Sequence, residues 1–310
     1  MQTHTAAQVL PPEEDVLRWV AAMRAPDQVR AAIVQARAGF AIAPASLRQS
    51  ILDTAAQVAA GLGVIGAEVP SGVSQDPASG PTRLYGEVLA LLACVPSVLA
   101  YHAERGVPED VTWDTLSDLP RHVARYERLH GRPGFSELRW LSTHLRGLIY
   151  SLGRLQFERI RAIALPEDHA AVVAATEELA EDDVMLNVHI PETGPLDPGL
   201  CEAAYAQAID RFAAWYPDER PRAFVCVSWL MDPQVRDYLP SSSNIIRFQD
   251  RFEIVGPGRE ASGSMQEFVF GRAGQVDLED LPQRTSLERG FVQHLRAGGT
   301  WYARTGWFSP

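Results

Sequence analysis

The chain has 310 residues, 46% of them hydrophobic and 22% charged, which is enough to bury a substantial core and to form two domains. Its net charge of −11 disfavours nucleic acid as a partner, because neutralising phosphates needs a basic surface. All 28 basic residues are arginines. The absence of lysine excludes pyridoxal-phosphate aldimines, lysine Schiff bases and Ser–Lys dyads.

The sequence favours a cytoplasmic protein with no membrane partner. Its first residues lack the basic start and apolar run of a secretory signal. The longest apolar run, residues 87–103, contains a proline and is more typical of a buried helix than of a membrane span. Cys94, Cys201 and Cys226 form no CxxC pair and are expected to stay reduced.

The first half of the chain has helical periodicity. Helices are predicted within 12–62 and over 86–104, 108–130 and 136–152, with a loop at 69–86 and no strand before about 150.

The second half mixes strands and helices. Strands are predicted at 153–165 with a bulge near Arg159, at 184–190 and at 222–230, and residues 252–256 and 266–271 are predicted to form a hairpin. Helices are predicted over 167–183, from Asp197 and Pro198, near 232–239, within 241–252, and after the capping signal of Thr285 and Glu288. This change of pattern places a domain boundary near 135.

The stretch "LNVHIPETGPLD" (186–197) begins as an alternating strand and ends at the start of a helix. Unpaired N–H groups at such a junction can bind a phosphate or pyrophosphate. Pro195 removes one donor and Glu192 is acidic. An ordinary crossover loop is the alternative interpretation.

Several long stretches resemble one family: "LGRLQFER", "LNVHIPETGPL", "FVCVSWLMDPQV", "SNIIRFQDRF" and "TSLERGFVQHLRAGG". They resemble bacterial GNAT-like acyltransferases, in which a helical N-terminal acyltransferase domain precedes a GNAT-like domain. The resemblance implies an α+β fold: a helical domain over 1–135 and a mixed-sheet α/β domain over 136–310. It further implies acyl transfer from acyl-CoA, acetyl or longer, to an amine or hydroxyl of a small-molecule acceptor, with no metal.

The same resemblance implies where acyl-CoA binds. In the GNAT fold the strands corresponding to 184–190 and 222–230 splay apart, and acyl-CoA lies between them. The expected CoA contacts are Ile190, Thr193, Gly194 and Leu196, with Arg247 near the phosphates. The family's Gln/Arg-x-x-Gly-x-Gly/Ala loop is replaced here by "PETGPL".

His189 is the leading candidate for a general base, since imidazole titrates near neutral pH. Alternatively it bonds a carbonyl and shapes the turn. Asn187 shares its strand face, as an acceptor-binding amide or as a plain polar strand residue. Glu158 is expected to act as a base through water or to pair with an arginine.

The other candidates carry open alternatives. Ser228 is a proton relay or a small core residue, and Tyr238 a proton donor to the departing thiolate. Trp229 and Asn244 are substrate-binding candidates, although the tryptophan also suits a core. Cys226 as a covalent nucleophile is disfavoured, because the sequence places no histidine near it.

Two other classes remain as alternatives. A GNAT-like domain without catalysis, acting as a binding or scaffold module, is favoured by the unusual loop. A hydrolase using Ser228, His189 and Asp232 is disfavoured because "VSWLM" lacks a Gly-x-Ser-x-Gly turn.

Overall fold

The computed structural model describes residues 9–73, 80–162, 172, 179–180 and 182–310. The chain divides into two compact units, Met1–Ser151 (unit 1) and Leu152–Pro310 (unit 2). Unit 1 is helical and unit 2 is built around a mixed sheet, so the expected α+β fold class is confirmed.

Proline precedes several helices of unit 1 directly. Pro12, Pro26, Pro44 and Pro108 have φ between −59° and −50° and extended ψ. Proline fixes φ in this range and lacks an N–H, which costs nothing before a first helical turn. The helices of the described part are α1 (Glu13–Ala22), α2 (Asp27–Ala38), α3 (Ala45–Ala60), α4 (Pro81–Leu84), α5 (Gly86–Ala93), α6 (Val95–Glu104), α7 (Glu109–Leu116), α8 (Asp118–His130) and α9 (Leu138–Leu145).

The apolar run of the sequence lies in the core of unit 1. It forms α5 and α6, which break at Cys94, and Leu91 and Val95 are completely buried. By length and composition, Gly86–Glu104 could cross a membrane, and 67% of that apolar window is buried inside the fold. A buried core helix satisfies the same criteria, so the predicted buried helical segment is confirmed.

A polar pair is also buried in unit 1. His144 Nε2 on α9 lies 2.8 Å from Asp118 Oδ2 on α8, with only 1% and 3% of the two side chains exposed. Arg121, one turn along α8, bonds the other carboxylate oxygen. The apolar groups packed around α8 and α9 therefore enclose a fully partnered carboxylate.

The sheet has the order β1-β2-β3-β4-β6-β5. Strands β3 and β4 are parallel, whereas β2–β3, β4–β6 and β5–β6 are antiparallel. The strands are β1 (Ile149–Leu152), β2 (Leu155–Arg161), β3 (Val184–His189), β4 (Phe224–Ser228), β5 (Glu253–Glu260) and β6 (Tyr302–Phe308). The helices of unit 2 within the described residues are α10 (Pro198–Trp215), α11 (Asn244–Gln249), α12 (Ser262–Phe270) and α13 (Ser286–Arg296).

The two central strands separate soon after they pair. Register partners join only Leu186 to Phe224 and Asn187 to Val225, whereas β3 continues to His189 and β4 to Ser228. Within the described residues the last parts of β3 and β4 thus pair with their outer neighbours rather than with each other. This is the splay that the family resemblance implied.

Two predicted helix starts are confirmed. Asp197 caps α10 by accepting a hydrogen bond from the Leu200 N–H, with Pro198 in the first turn. Thr285 and Glu288 form a reciprocal capping box at α13.

Three local predictions were wrong. The helix predicted over 136–152 ends at Leu145, and β1 follows. The bulge expected near Arg159 is absent from the β2–β3 ladder, whose register is unbroken from 156 to 161. The predicted hairpin does not form, since residues 266–270 belong to α12 and the partner of β5 is β6, a strand that sequence periodicity missed. The helix predicted over 167–183 lies mostly outside the described residues.

Candidate active site

A histidine, a carboxylate and an amide meet on one face of β2 and β3. His189 Nε2 lies 2.8 Å from Glu158 Oε2, and the Asn187 side-chain amide donates to the same oxygen at 3.3 Å. The register explains the cluster, because Glu158 is directly opposite Asn187 and Gln156 is opposite His189. Alternate residues of paired strands point to one face, so the predicted common face of these polar residues is present.

The cluster is only partly covered. The His189 and Glu158 side chains are 25% and 16% exposed. The Asn187 side-chain oxygen is buried and has no hydrogen-bond partner within the described structure. An acceptor that needs a donor therefore lies beside an accessible acid–base pair, which suits a site that binds a polar substrate.

Arg154, which the sequence did not single out, holds the loop after β3. Its guanidinium donates to three backbone carbonyls, those of Pro191 at 3.1 Å, Gly194 at 2.6 Å and Pro195 at 2.8 Å. The residue is 8% exposed and lies in the two-residue turn between β1 and β2. An arginine in a hairpin turn ordinarily points into solvent, so periodicity gave no signal for this role.

The predicted CoA contacts in this loop differ in their exposure to solvent. Thr193 and Gly194 are exposed, Ile190 is half-buried and Leu196 is buried at 7% exposure. Gly194 has φ 136°, a backbone conformation that residues other than glycine rarely adopt. Arg247 is exposed on α11. Whether these residues contact a ligand stays a prediction.

Ser228 lies on the other sheet face from His189. Val225 shares a face with Asn187 by register, so by alternation Cys226 and Ser228 face the opposite way. The Ser228 hydroxyl accepts a hydrogen bond from the Leu230 N–H at 3.1 Å, capping the short 3₁₀ turn that contains the half-buried Trp229. The structure therefore does not bring Ser228 to the His189–Glu158 pair.

Burial disfavours a thiolate on β4. Cys226 is fully buried, and this burial raises the pKa of its thiol to about 12. Cys94, Cys201 and Cys226 are all free, and all are buried.

Tyr238 belongs to a cluster beneath α13. Its hydroxyl lies 3.1 Å from His294 Nδ1, and its ring packs edge-on against Trp301. A side chain at Gly290 would collide with Tyr238, which explains the glycine in that helix. The proposed role of Tyr238 toward a thiolate stays a prediction.

The segment after β4 is fixed by two buried polar side chains. Asp232, predicted to cap a helix, accepts from the Gln234 N–H and from the Tyr302 N–H on β6. Gln249 donates to the carbonyls of Leu230 and Asp232. Asn244 begins the same helix as Gln249 and is half-buried. The observed contacts of Asp232 therefore hold the backbone of this segment in place.

No group of three or more metal-ligating side chains occurs among the described residues.

A mixed sheet whose central parallel strands separate, followed by a loop and a long helix, defines a GNAT-like acyltransferase fold. The chain matches the GNAT-like C-terminal domain family over 149–308 and the N-acyltransferase N-terminal domain family over 14–147. It belongs to the family that combines these two domains, as the sequence resemblance implied.

Solved structures agree with this assignment. An acyltransferase in complex with decanoyl-CoA and teicoplanin is 31% identical, with a TM-score of 0.83 over 97% of this chain and 90% of that chain. A variant acyltransferase with octanoyl-CoA is also 31% identical, with a TM-score of 0.83 over 97% and 89%. A complex with decanoyl-CoA is 29% identical, with a TM-score of 0.82 over 97% and 89%. No curated protein matches the chain.

Proposed function

We propose that this protein transfers an acyl group from acyl-CoA to an amine or hydroxyl of a small-molecule acceptor. The observation that carries the proposal is the 2.8 Å contact between His189 and Glu158 on β3 and β2, next to the splay of β3 and β4. Acyl-CoA complexes of similar acyltransferases support the donor.

His189 acts as the general base in this proposal. With Nε2–H donating to Glu158, Nδ1 accepts the proton of the acceptor as its nitrogen or oxygen attacks the thioester carbonyl. Collapse of the tetrahedral intermediate breaks the carbon–sulfur bond, and the leaving CoA thiolate takes up the proton that the His189 imidazolium releases. Glu158 stabilises the imidazolium formed in the first step. Asn187 offers its side-chain oxygen to a donor group of the substrate.

Similar structures support a more specific donor and acceptor. Complexes with octanoyl-CoA and decanoyl-CoA support a medium-chain donor, and complexes with teicoplanin support a glycopeptide acceptor. The name of the N-terminal domain family supports an amine rather than a hydroxyl as the acylated group. Ile190, Thr193, Gly194, Leu196 and Arg247 are the proposed CoA contacts, and we place the enzyme in the cytoplasm.

The test uses the full chain with acetyl-, octanoyl- and decanoyl-CoA and a teicoplanin-type acceptor. Free thiol release and the mass of the acceptor report transfer, and CoA binding is measured by calorimetry and by the melting temperature. We expect thiol release together with an acyl mass on the acceptor. A chain that neither binds CoA nor transfers an acyl group is instead a binding module, the alternative that the "PETGPL" loop favours.

A further inference from the structure

Arg154 carries a buried positive charge beneath the loop 190–197. Its three hydrogen bonds all go to backbone carbonyls, and none of the ion pairs among the described residues involves it. Burial lowers the pKa of the guanidinium, yet arginine stays charged in proteins. Buried cations are normally paired, so this charge lacks the counter-ion that proteins usually provide.

A second buried arginine, on the neighbouring strand β2, is paired with a carboxylate. Arg159 on β2 is also buried, but its Nε donates to Glu219 at 3.0 Å and its guanidinium stacks on Tyr216 at 3.7 Å. It points to the sheet face covered by α10. The contrast shows that burial alone does not leave an arginine without a carboxylate in this fold.

The three hydrogen bonds also orient the loop. In a trans peptide the carbonyl and the following N–H point in opposite directions. Because the carbonyls of Pro191 and Pro195 point at Arg154, the N–H groups of Glu192 and Leu196 point away from it. At these two peptides the carbonyl oxygens, which carry partial negative charge, therefore face the guanidinium. The N–H groups, which carry partial positive charge, face away from it.

We propose that Arg154 is a positioning residue for the pyrophosphate of acyl-CoA, an inference that rests on the proposed function. It holds the loop so that N–H groups face the diphosphate, and it supplies the positive charge that the diphosphate neutralises. This arrangement replaces the glycine-rich sequence of other GNAT-like loops. The three contacts come from three different nitrogens of the planar guanidinium, whereas all donors of an ammonium share one nitrogen, so lysine would not hold the loop in the same geometry.

The experiment compares two thioesters on the full chain, decanoyl-CoA and decanoyl-pantetheine, which lacks the diphosphate. Arg154→Lys and Arg154→Met are expected to raise KM for decanoyl-CoA by roughly tenfold or more, with a much smaller change in kcat. KM for decanoyl-pantetheine is expected to stay at the wild-type value. Arg159→Lys is the matched control, which lowers the melting temperature without a selective effect on decanoyl-CoA.

Calorimetric binding of CoA and of pantetheine gives a second measurement that needs no turnover. An equal loss of affinity for both ligands in the Arg154 variants, or unchanged affinity for CoA, would overturn the inference. Wild-type protein that binds CoA but transfers no acyl group refutes the proposed function while the binding comparison still tests Arg154. Wild-type protein that binds no CoA refutes both.

Discussion

Among the residues that the structure describes, a histidine–carboxylate pair with the same separation lies in each unit, and the two pairs differ in their surroundings. In unit 1, His144 and Asp118 are 2.8 Å apart and at most 3% exposed. In unit 2, His189 and Glu158 are also 2.8 Å apart but 25% and 16% exposed. The hydrogen bond is the same, whereas access to a reactant is not.

This difference separates a stabilising role from a chemical one. A buried pair holds its elements together, because removing one partner leaves an unpaired buried group. A partly exposed pair can exchange a proton with a substrate, and its loss costs little folding free energy. Substitutions in the two pairs should therefore affect different measurements.

The largest effect is expected at His189. His189→Gln removes the proposed base and should lower kcat for acyl transfer by roughly 10²–10⁴-fold. The free energy of unfolding should change little, since the site is partly exposed. Exposed His130 is the control, and His130→Gln should leave both quantities unchanged. Wild-type kcat in the His189 variant would remove it from the mechanism.

The buried pair should show the opposite behaviour. His144→Ala leaves Asp118 with only part of its partners and should lower the free energy of unfolding by about 3 kcal/mol. Urea denaturation measures this loss, and kcat per folded molecule is expected to stay at the wild-type value. A loss of kcat without a loss of stability would contradict the division of roles between the two pairs.

Acid should weaken unit 1 through two further histidines, the buried His102 and the half-buried His122. Burial lowers the pKa of His102 and of His122 to about 4. An unfolded histidine takes up its proton near pH 6.5, so between about pH 6.5 and pH 4 the unfolded chain binds more protons and stability falls as the pH falls. For His102, which is 1% exposed, the loss is about 2 kcal/mol at pH 5.

Urea unfolding at about pH 7.5 and about pH 5 measures that loss in the wild type and in His102→Gln. The variant is less stable at neutral pH because it loses the contact with Thr112, but it should depend less steeply on pH. An equally steep dependence in the variant would show that His102 is not the group responsible.

The smallest effect is expected at Glu158. Glu158→Gln keeps a hydrogen-bond partner for His189 but removes the charge that stabilises the imidazolium, so kcat should fall by about tenfold. KM for acyl-CoA should change little, which steady-state kinetics can separate. A rise in KM with constant kcat would instead make Glu158 a substrate-binding group.

Short-range patterns explain what the sequence predicted correctly. Asn187 and His189 share one face of their strand whichever strand lies beside it. The cap at Asp197 involves only four consecutive residues. The cluster with Glu158 needed only an antiparallel neighbour in register. These features depend on residues that are close together in the chain, so they can be predicted from the sequence alone.

Long-range partners explain what was missed. Residues 266–270 alternate like a strand, but they belong to α12, which ends at Phe270 just before Gly271 with φ 63°. Phe268 remains 48% exposed on this helix. Strand β6 has weak alternation and includes Gly306, where a side chain would collide with Phe252 and Met231. Arg154 acquires its role only from a loop about 40 residues later.

The place of β6 in the sheet has a consequence for synthesis on the ribosome. Tyr302–Phe308 pairs with β4 on one side and β5 on the other, so neither has that partner until these residues emerge. Unit 1 ends at Ser151, so at about 5–20 residues per second it has roughly 8–30 s to fold before unit 2 can close its sheet. Once β4 and β5 have been synthesised, and until β6 follows, their open edges are exposed to pairing with other chains, so a chaperone would act on nascent unit 2 at that stage.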